Sequence, residues 1–203
     1  MNDNSASGIA TATTVVSFVK MADGTREDYE LLDRAEREYV RRLPDRLLAS
    51  LAKLDHSLAG YQVSRLGHSL QAATRAMRDG ADDELIVAAL IHDLGDELAP
   101  YNHAEFAASI IRPYVRAEVT WIVEQHGVFQ MYYYAHHSGG NRHARDKFRD
   151  HVWYRSCHDF CANWDQCSFD PDYPSESLAA FEPKLREIFS RTAYDPRIVG
   201  RSA

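Results

Sequence analysis

The stretch DDELIVAALIHDLG, residues 82–95, decides the fold. From Leu85 to Ile91 every side chain is apolar, and a helix that is apolar all round must be enclosed by other helices. Asp82 or Asp83 caps its start, and Gly95 ends it. The segment therefore reads as a central helix. Its apolar run closes on an adjacent imidazole and carboxylate, His92 and Asp93.

Helical spacing continues on both sides of this stretch. Residues 62–79 place Leu66, Leu70, Ala73 and Met77 on one stripe, with Gly80 as a stop. Before them, Pro44 opens a helix with Leu47, Leu48, Leu51 and Leu54 inward, and Thr25 with Asp28 forms a capping arrangement for a first helix. Tyr29, Leu32, Ala35 and Tyr39 share a face of that first helix. Val15 to Met21 reads as a short extended piece, and residues 1–14 as a flexible tail. After the central segment, one helix runs from Asn102 towards Pro113 and another from Val115 to Gln125. Gly139, Gly140 and Asn141 break the chain, helical spacing resumes from Trp153 to Trp164, and a last helix carries Leu178, Phe181, Leu185, Ile188 and Phe189. The expectation is one all-α domain over residues 15–203, a helical bundle, with loops between Leu94 and Asn102, Ser138 and Asp146, and Ser168 and Ser177.

Length and charge agree with this outline. At 203 residues the chain matches about one domain. Its 45% hydrophobic content and 22 aromatic residues exclude a disordered or collagenous chain. A formal charge of −7 repels phosphate backbones and anionic lipid, so nucleic acid is not an expected partner. No secretory leader or membrane-spanning run is visible, and no obligate protein partner is evident. Cys157, Cys161 and Cys167 make an odd, clustered set, which fits free thiols in a reducing cytoplasm better than a disulfide framework.

The histidines carry the chemistry. His68 lies beside the buried stripe of its helix, where a lone histidine is ordinarily a satisfied core residue. His103 begins a helix, His126 follows another, and Asp165 stands near the end of the cysteine-bearing helix. Together with His92 and Asp93 these residues supply four imidazoles and two carboxylates from five helices. A donor set of nitrogen and oxygen without thiolate suits iron, manganese or cobalt. Asp93 could offer one oxygen to each of two ions about 3.5–4 Å apart, with His68, His92 and Asp165 on one ion and His103 and His126 on the other.

The order His68, His92-Asp93, His103, His126, Asp165 resembles the HD-domain superfamily in its six-ligand, two-metal form. Within it, SRLGHSLQ (64–71) and AALIHDLG (88–95) resemble the mixed-valent diiron oxygenases that cleave the carbon–phosphorus bond of 1-hydroxyphosphonates. DGTREDY (23–29), GDELAP (95–100), WDQ (164–166) and FDPDYP (169–174) are similar to the branch acting on (R)-1-hydroxy-2-(trimethylammonio)ethylphosphonate. The resemblance implies two iron ions as an Fe(II)/Fe(III) pair, with a small phosphonate and dioxygen as partners. It further implies that the oxidant is an oxygen species bound at the metal, that no protein nucleophile takes part, and that the products are glycine betaine and phosphate.

The chain departs from the aminohydroxyethylphosphonate branch at residues that bear on substrate. Asp96 and Ala162 stand where that branch has a histidine and an arginine, and Leu58 and Tyr61 where it has a tyrosine and a glutamate. A replacement anion contact is expected from the basic segment His136, His137, Arg142, Arg145 and Lys147, with Arg142 first, because an arginine fork suits a phosphonate. A solvated basic loop is the plainer alternative. For the permanent cation of the substrate, Asp96 could supply charge, and Tyr61, Tyr101, Tyr133, Tyr134 or Phe129 an aromatic face. Two other functions fit the same scaffold: a metal-dependent phosphohydrolase, and a catalytically silent metal- or ligand-binding domain.

Overall fold

The computed structural model describes residues 15–200, so the proposed tail at residues 1–14 lies outside the described residues. All regular structure among them is helical, with nine α-helices and no strand, as the all-α expectation requires. None of these helices is long and apolar enough to cross a membrane. The chain divides into two compact units, one up to Leu43 and one from Pro44 onwards.

The first unit holds α1 (Arg26–Arg41). Its start is the capping box read in the sequence: Asp28 N–H donates to Thr25 Oγ1 at 3.2 Å, and Thr25 N–H donates to Asp28 Oδ2 at 3.0 Å. Ser17 adds its N–H at 2.7 Å and its hydroxyl at 2.8 Å. The Thr25 and Ser17 amides hold the Asp28 carboxyl down to about 2. Residues 15–20 form bends followed by a 3₁₀ turn at Met21–Asp23, because this chelation of Asp28 replaces the extended piece expected there.

The second unit begins with α2 (Leu43–Lys53), which buries Leu47 and Leu51. Next comes α3 (Arg65–Arg78), capped by Ser64, whose hydroxyl accepts from Gly67 N–H at 3.0 Å. Its deepest face is not the leucine stripe: Arg65, His68, Ser69, Ala72, Ala73 and Ala76 are buried, whereas Leu66, Leu70 and Met77 are only half-buried. That face is small and polar because it closes against the functional groups described below. Gly80 stops the helix at φ +76°, a left-handed conformation that costs glycine nothing.

The central segment becomes α4 (Asp83–Ile91), capped by Asp82 and buried continuously from Ile86 to Ile91. It packs on α3 and on α8 (Leu178–Phe189), which contributes Phe181, Leu185, Ile188 and Phe189. α5 (His103–Ile111) lies along α6 (Ala117–Tyr134), which ends at Tyr134 and not at Gln125 as the sequence reading had it, because the tyrosine segment continues the helix. α7 (Tyr154–Phe160) and the short α9 (Pro196–Val199) complete the set.

Glu84 ties three parts of this unit together. Its carboxylate, 6% exposed, accepts from Arg116 N–H at 2.9 Å, from the Arg116 guanidinium at 3.2 Å and from Arg191 at 2.6 Å. Removing one side of a buried pair leaves uncompensated charge. Glu84→Ala is therefore expected to cost about 3–5 kcal/mol in urea unfolding, and an unchanged midpoint would show that the network is idle.

Candidate metal centre

Six donors reach one place by different local devices. α3 presents His68, 1% exposed, on its buried polar face. α4 ends with its C-cap at His92, so His92 and Asp93 stand at the tip of the most deeply buried helix. Gly95 then lets α5 close in, since a Cβ there would meet His103 Cα and the His103 carbonyl oxygen at 2.7 Å. This close approach carries His103 to Asp93. α6 supplies His126, and the segment Cys161–Asp165 continues α7 as a π-turn. Gln166 N–H donates to Cys161 O at 3.0 Å, five residues back, and the widened turn ends on Asp165.

Asp93 stands between two groups. Its Oδ2 is 3.2 Å from His68 Nε2 and 3.3 Å from His92 Nε2, while Asp165 Oδ1 is 3.2 Å from His68 Nε2. Its Oδ1 is 3.3 Å from His126 Nε2 and 3.4 Å from His103 Nε2. Within each of the sets His68-His92-Asp93 and Asp93-His103-His126, the donor atoms lie within 4.8 Å of one another.

Tautomers follow from the outer partners. His68 Nδ1 faces Ser168 O at 3.0 Å, His92 Nδ1 faces Ala89 O at 2.9 Å, and His126 Nδ1 faces Val123 O at 2.6 Å. A carbonyl only accepts, so each Nδ1 carries a proton, and a ring that gives up its second proton turns an Nε2 lone pair inward. His68 and His92 then face each other Nε2 to Nε2 at 3.1 Å, an arrangement that needs a cation to share. Asp165 Oδ2 is likewise buried with no hydrogen-bond partner among the described residues. These buried groups fit a metal ion.

The charges in the protein alone point the same way. Burial opposes protonation of His68, but the Asp165 and Asp93 carboxylates outweigh it and raise its pKa. Burial likewise opposes protonation of His92, which Asp93 and Asp165 hold well above the ordinary histidine range. Burial would raise the Asp93 carboxyl, but the His92 charge and hydrogen bonds from His126 and His68 hold it well below the usual carboxylate range. His103 is displaced downward, first by burial. The thiols are not donors here: Cys157 and Cys161 face Ile122 O at 3.7 Å and His126 O at 3.6 Å, and burial pushes the Cys161 thiol up.

The donors open onto a cavity of about 700 Å³. Tyr61 and Asp96 line it, as do Tyr133 and Tyr134, which follow His126 and Gln130 on one face of α6. His136, His137, Arg142 and Lys147 do not. The extension of α6 to Tyr134 and the left-handed Gly139, φ +78°, carry this basic segment past the opening. His136 and His137 are exposed against each other, and the guanidinium carbons of Arg142 and Arg145 lie 4.3 and 3.8 Å from the Tyr132 ring centre. Lys147 Nζ sits 4.7 Å from the Phe148 ring centre. Tyr101 is fully exposed and Phe129 fully buried, so neither lines the cavity.

Among the described residues, Arg65 is the cation on the cavity wall. Sequence reasoning passed over it, although it lies one turn before His68 and hence on the same helical face. Arg65 Nε donates to Asp96 Oδ2 at 2.6 Å, and its Nη2 donates to Asp93 Oδ2. Asp96 is thereby engaged by a protein cation. Glu97 and Phe169 were also missed; Phe169 stacks on His68 at 4.4 Å and on Tyr61 at 5.0 Å.

No protein-family model matches the sequence, and no curated protein matches it.

Metal uptake must displace the protons that Asp93 and Asp165 hold on His68 and His92. Affinity is therefore expected to rise with pH through and above the ordinary histidine range, with proton release visible by calorimetry in buffers of different ionisation enthalpy. Uptake independent of both pH and buffer would contradict this picture.

Proposed function

We propose that this chain is an iron-dependent oxygenase with two metal ions that cleaves the carbon–phosphorus bond of a 1-hydroxyphosphonate. Its substrate is (R)-1-hydroxy-2-(trimethylammonio)ethylphosphonate, converted with one dioxygen to glycine betaine and phosphate. The observation that carries the reading is the division of Asp93, whose two oxygens face two separate imidazole groups beside one cavity.

Charge supports an anionic substrate at a metal-loaded site. Asp93, Asp96, Glu97 and Asp165 line the cavity against Arg65 and the proton held on His68, a surplus of negative charge. Without metal this wall repels a phosphonate. Two ions carrying at least four positive charges reverse the sign, so binding of metal and of anion are linked.

Iron held by His68, His92, Asp93, His103, His126 and Asp165 would supply the activation of dioxygen. The chain's own residues do the rest. Asp93 holds the two positions in register, and the carbonyl bonds at Nδ1 aim three imidazoles. Arg65, whose Nε and Nη2 are held by Asp96 and Asp93, has its remaining N–H donors for the phosphonate. Tyr134 and Glu97, a carboxylate not engaged by Arg65, also line the cavity and supply an aromatic ring and a charge for a cation that cannot donate a conventional hydrogen bond. No side chain need attack the substrate.

Iron-loaded protein given the trimethylammonio hydroxyphosphonate is expected to release phosphate in air, one per dioxygen consumed, and none anaerobically. Release without dioxygen would replace the oxygenase by a phosphohydrolase. Absence of turnover with full iron occupancy would favour a silent binding domain.

A further inference from the structure

The four imidazoles are not held alike. His68, His92 and His126 each have Nδ1 fixed by a backbone carbonyl at 3.0 Å or less, and each is buried. His103 has no such carbonyl. Its side chain is 27% exposed, it stands at the first position of α5 after the 94–102 turn, and among the described residues its Nδ1 faces Asp96 Oδ1 at 3.6 Å. Asp96 is in turn held through its other oxygen by Arg65 Nε at 2.6 Å, and Arg65 also bonds Asp93. A chain of contacts thus runs from the shared carboxylate, through Arg65 and Asp96, to the one imidazole that lacks a main-chain anchor.

Resting on the two-metal reading above, we infer that the two metal positions are inequivalent, and that Asp96 is the positioning residue that sets the affinity of the outer position by orienting His103. The inner position, formed by His68, His92, Asp93 Oδ2 and Asp165, is pre-organised by two carbonyls and complete burial. It fills first. The outer position, formed by Asp93 Oδ1, His126 and His103, must first fix a half-exposed ring, so its ion binds more weakly and exchanges more readily. The Asp96 carboxylate, 3.6 Å from Nδ1 and so an electrostatic partner and not a direct hydrogen-bond acceptor, favours the proton on that nitrogen and leaves the Nε2 lone pair on the metal side, which a neutral amide does less well. The role assigned to Asp96 is therefore separate from recognition of the substrate cation.

Anaerobic calorimetric titration of the metal-free protein with Fe(II) tests this. The parent protein should bind two ions in resolved steps. Asp96→Asn should leave the first step unchanged and weaken the second about 10- to 100-fold. Asp96→Ala should weaken the second step at least as much, and the intact first step reports that each variant is folded. Glu105→Gln, which removes an exposed charge in the first turn of α5 without facing His103, should change neither step. A second step unchanged in Asp96→Asn and Asp96→Ala, an equal loss in both steps, or an equal effect from Glu105→Gln would each overturn the inference while leaving the metal pair in place. A parent protein that binds no Fe(II), or only one ion, would instead overturn the two-metal reading itself.

Discussion

Asp93 is a carboxylate 3% exposed to solvent, and its two oxygens are shared among four imidazoles and one guanidinium. A buried carboxylate survives only if opposite charge or donors surround it. That requirement organises the second unit. The apolar α4 delivers Asp93 to its deepest point, and α3, α5 and α6 each bring a group that answers its charge, while the π-turn after α7 adds a second carboxylate, Asp165, to the same site. Arg65 answers it from the protein's own side, and a metal ion would answer it further.

The same requirement explains features that look unrelated. Gly95 is needed because α5 must start almost in contact with the end of α4, or His103 would not reach Asp93. The π-turn at Cys161–Asp165 spends a backbone irregularity at the point where a second carboxylate enters the site. The small residues on α3 let it lie close to α4 and to His92 at its C-cap. Three of the four histidines use a backbone carbonyl as their outer partner, so the helix framework itself sets their tautomers. His103 depends on a side chain instead, and its setting is the most adjustable part of the centre.

Much of this was legible along the chain. Most helices announced themselves by caps and apolar spacing, and the six donors stood out because imidazole and carboxylate recur at successive helix ends and buried faces. The substrate-facing residues were less legible. Charge density drew attention to Arg142 and Lys147, but a cation near the site in sequence can rest on a tyrosine on another face of the same helix, as Arg142 does on Tyr132. Arg65 was overlooked because the leucine stripe marked the inward side of α3, whereas the deepest face is the polar one that carries Arg65 and His68. Asp96 was visible as a departure in the sequence, whereas its partner was not.

Local chemistry by itself determined the helices and the donor inventory, since capping, periodicity and ligand type depend on neighbours within a few residues. It determined no distance between donors. Only the tertiary structure decided that the two oxygens of Asp93 face different imidazoles, that the basic segment passes by the opening, and that Arg65 claims Asp96. Such outcomes depend on how helices far apart in the chain rotate and close on one another, and that rotation is set by packing summed over the whole unit.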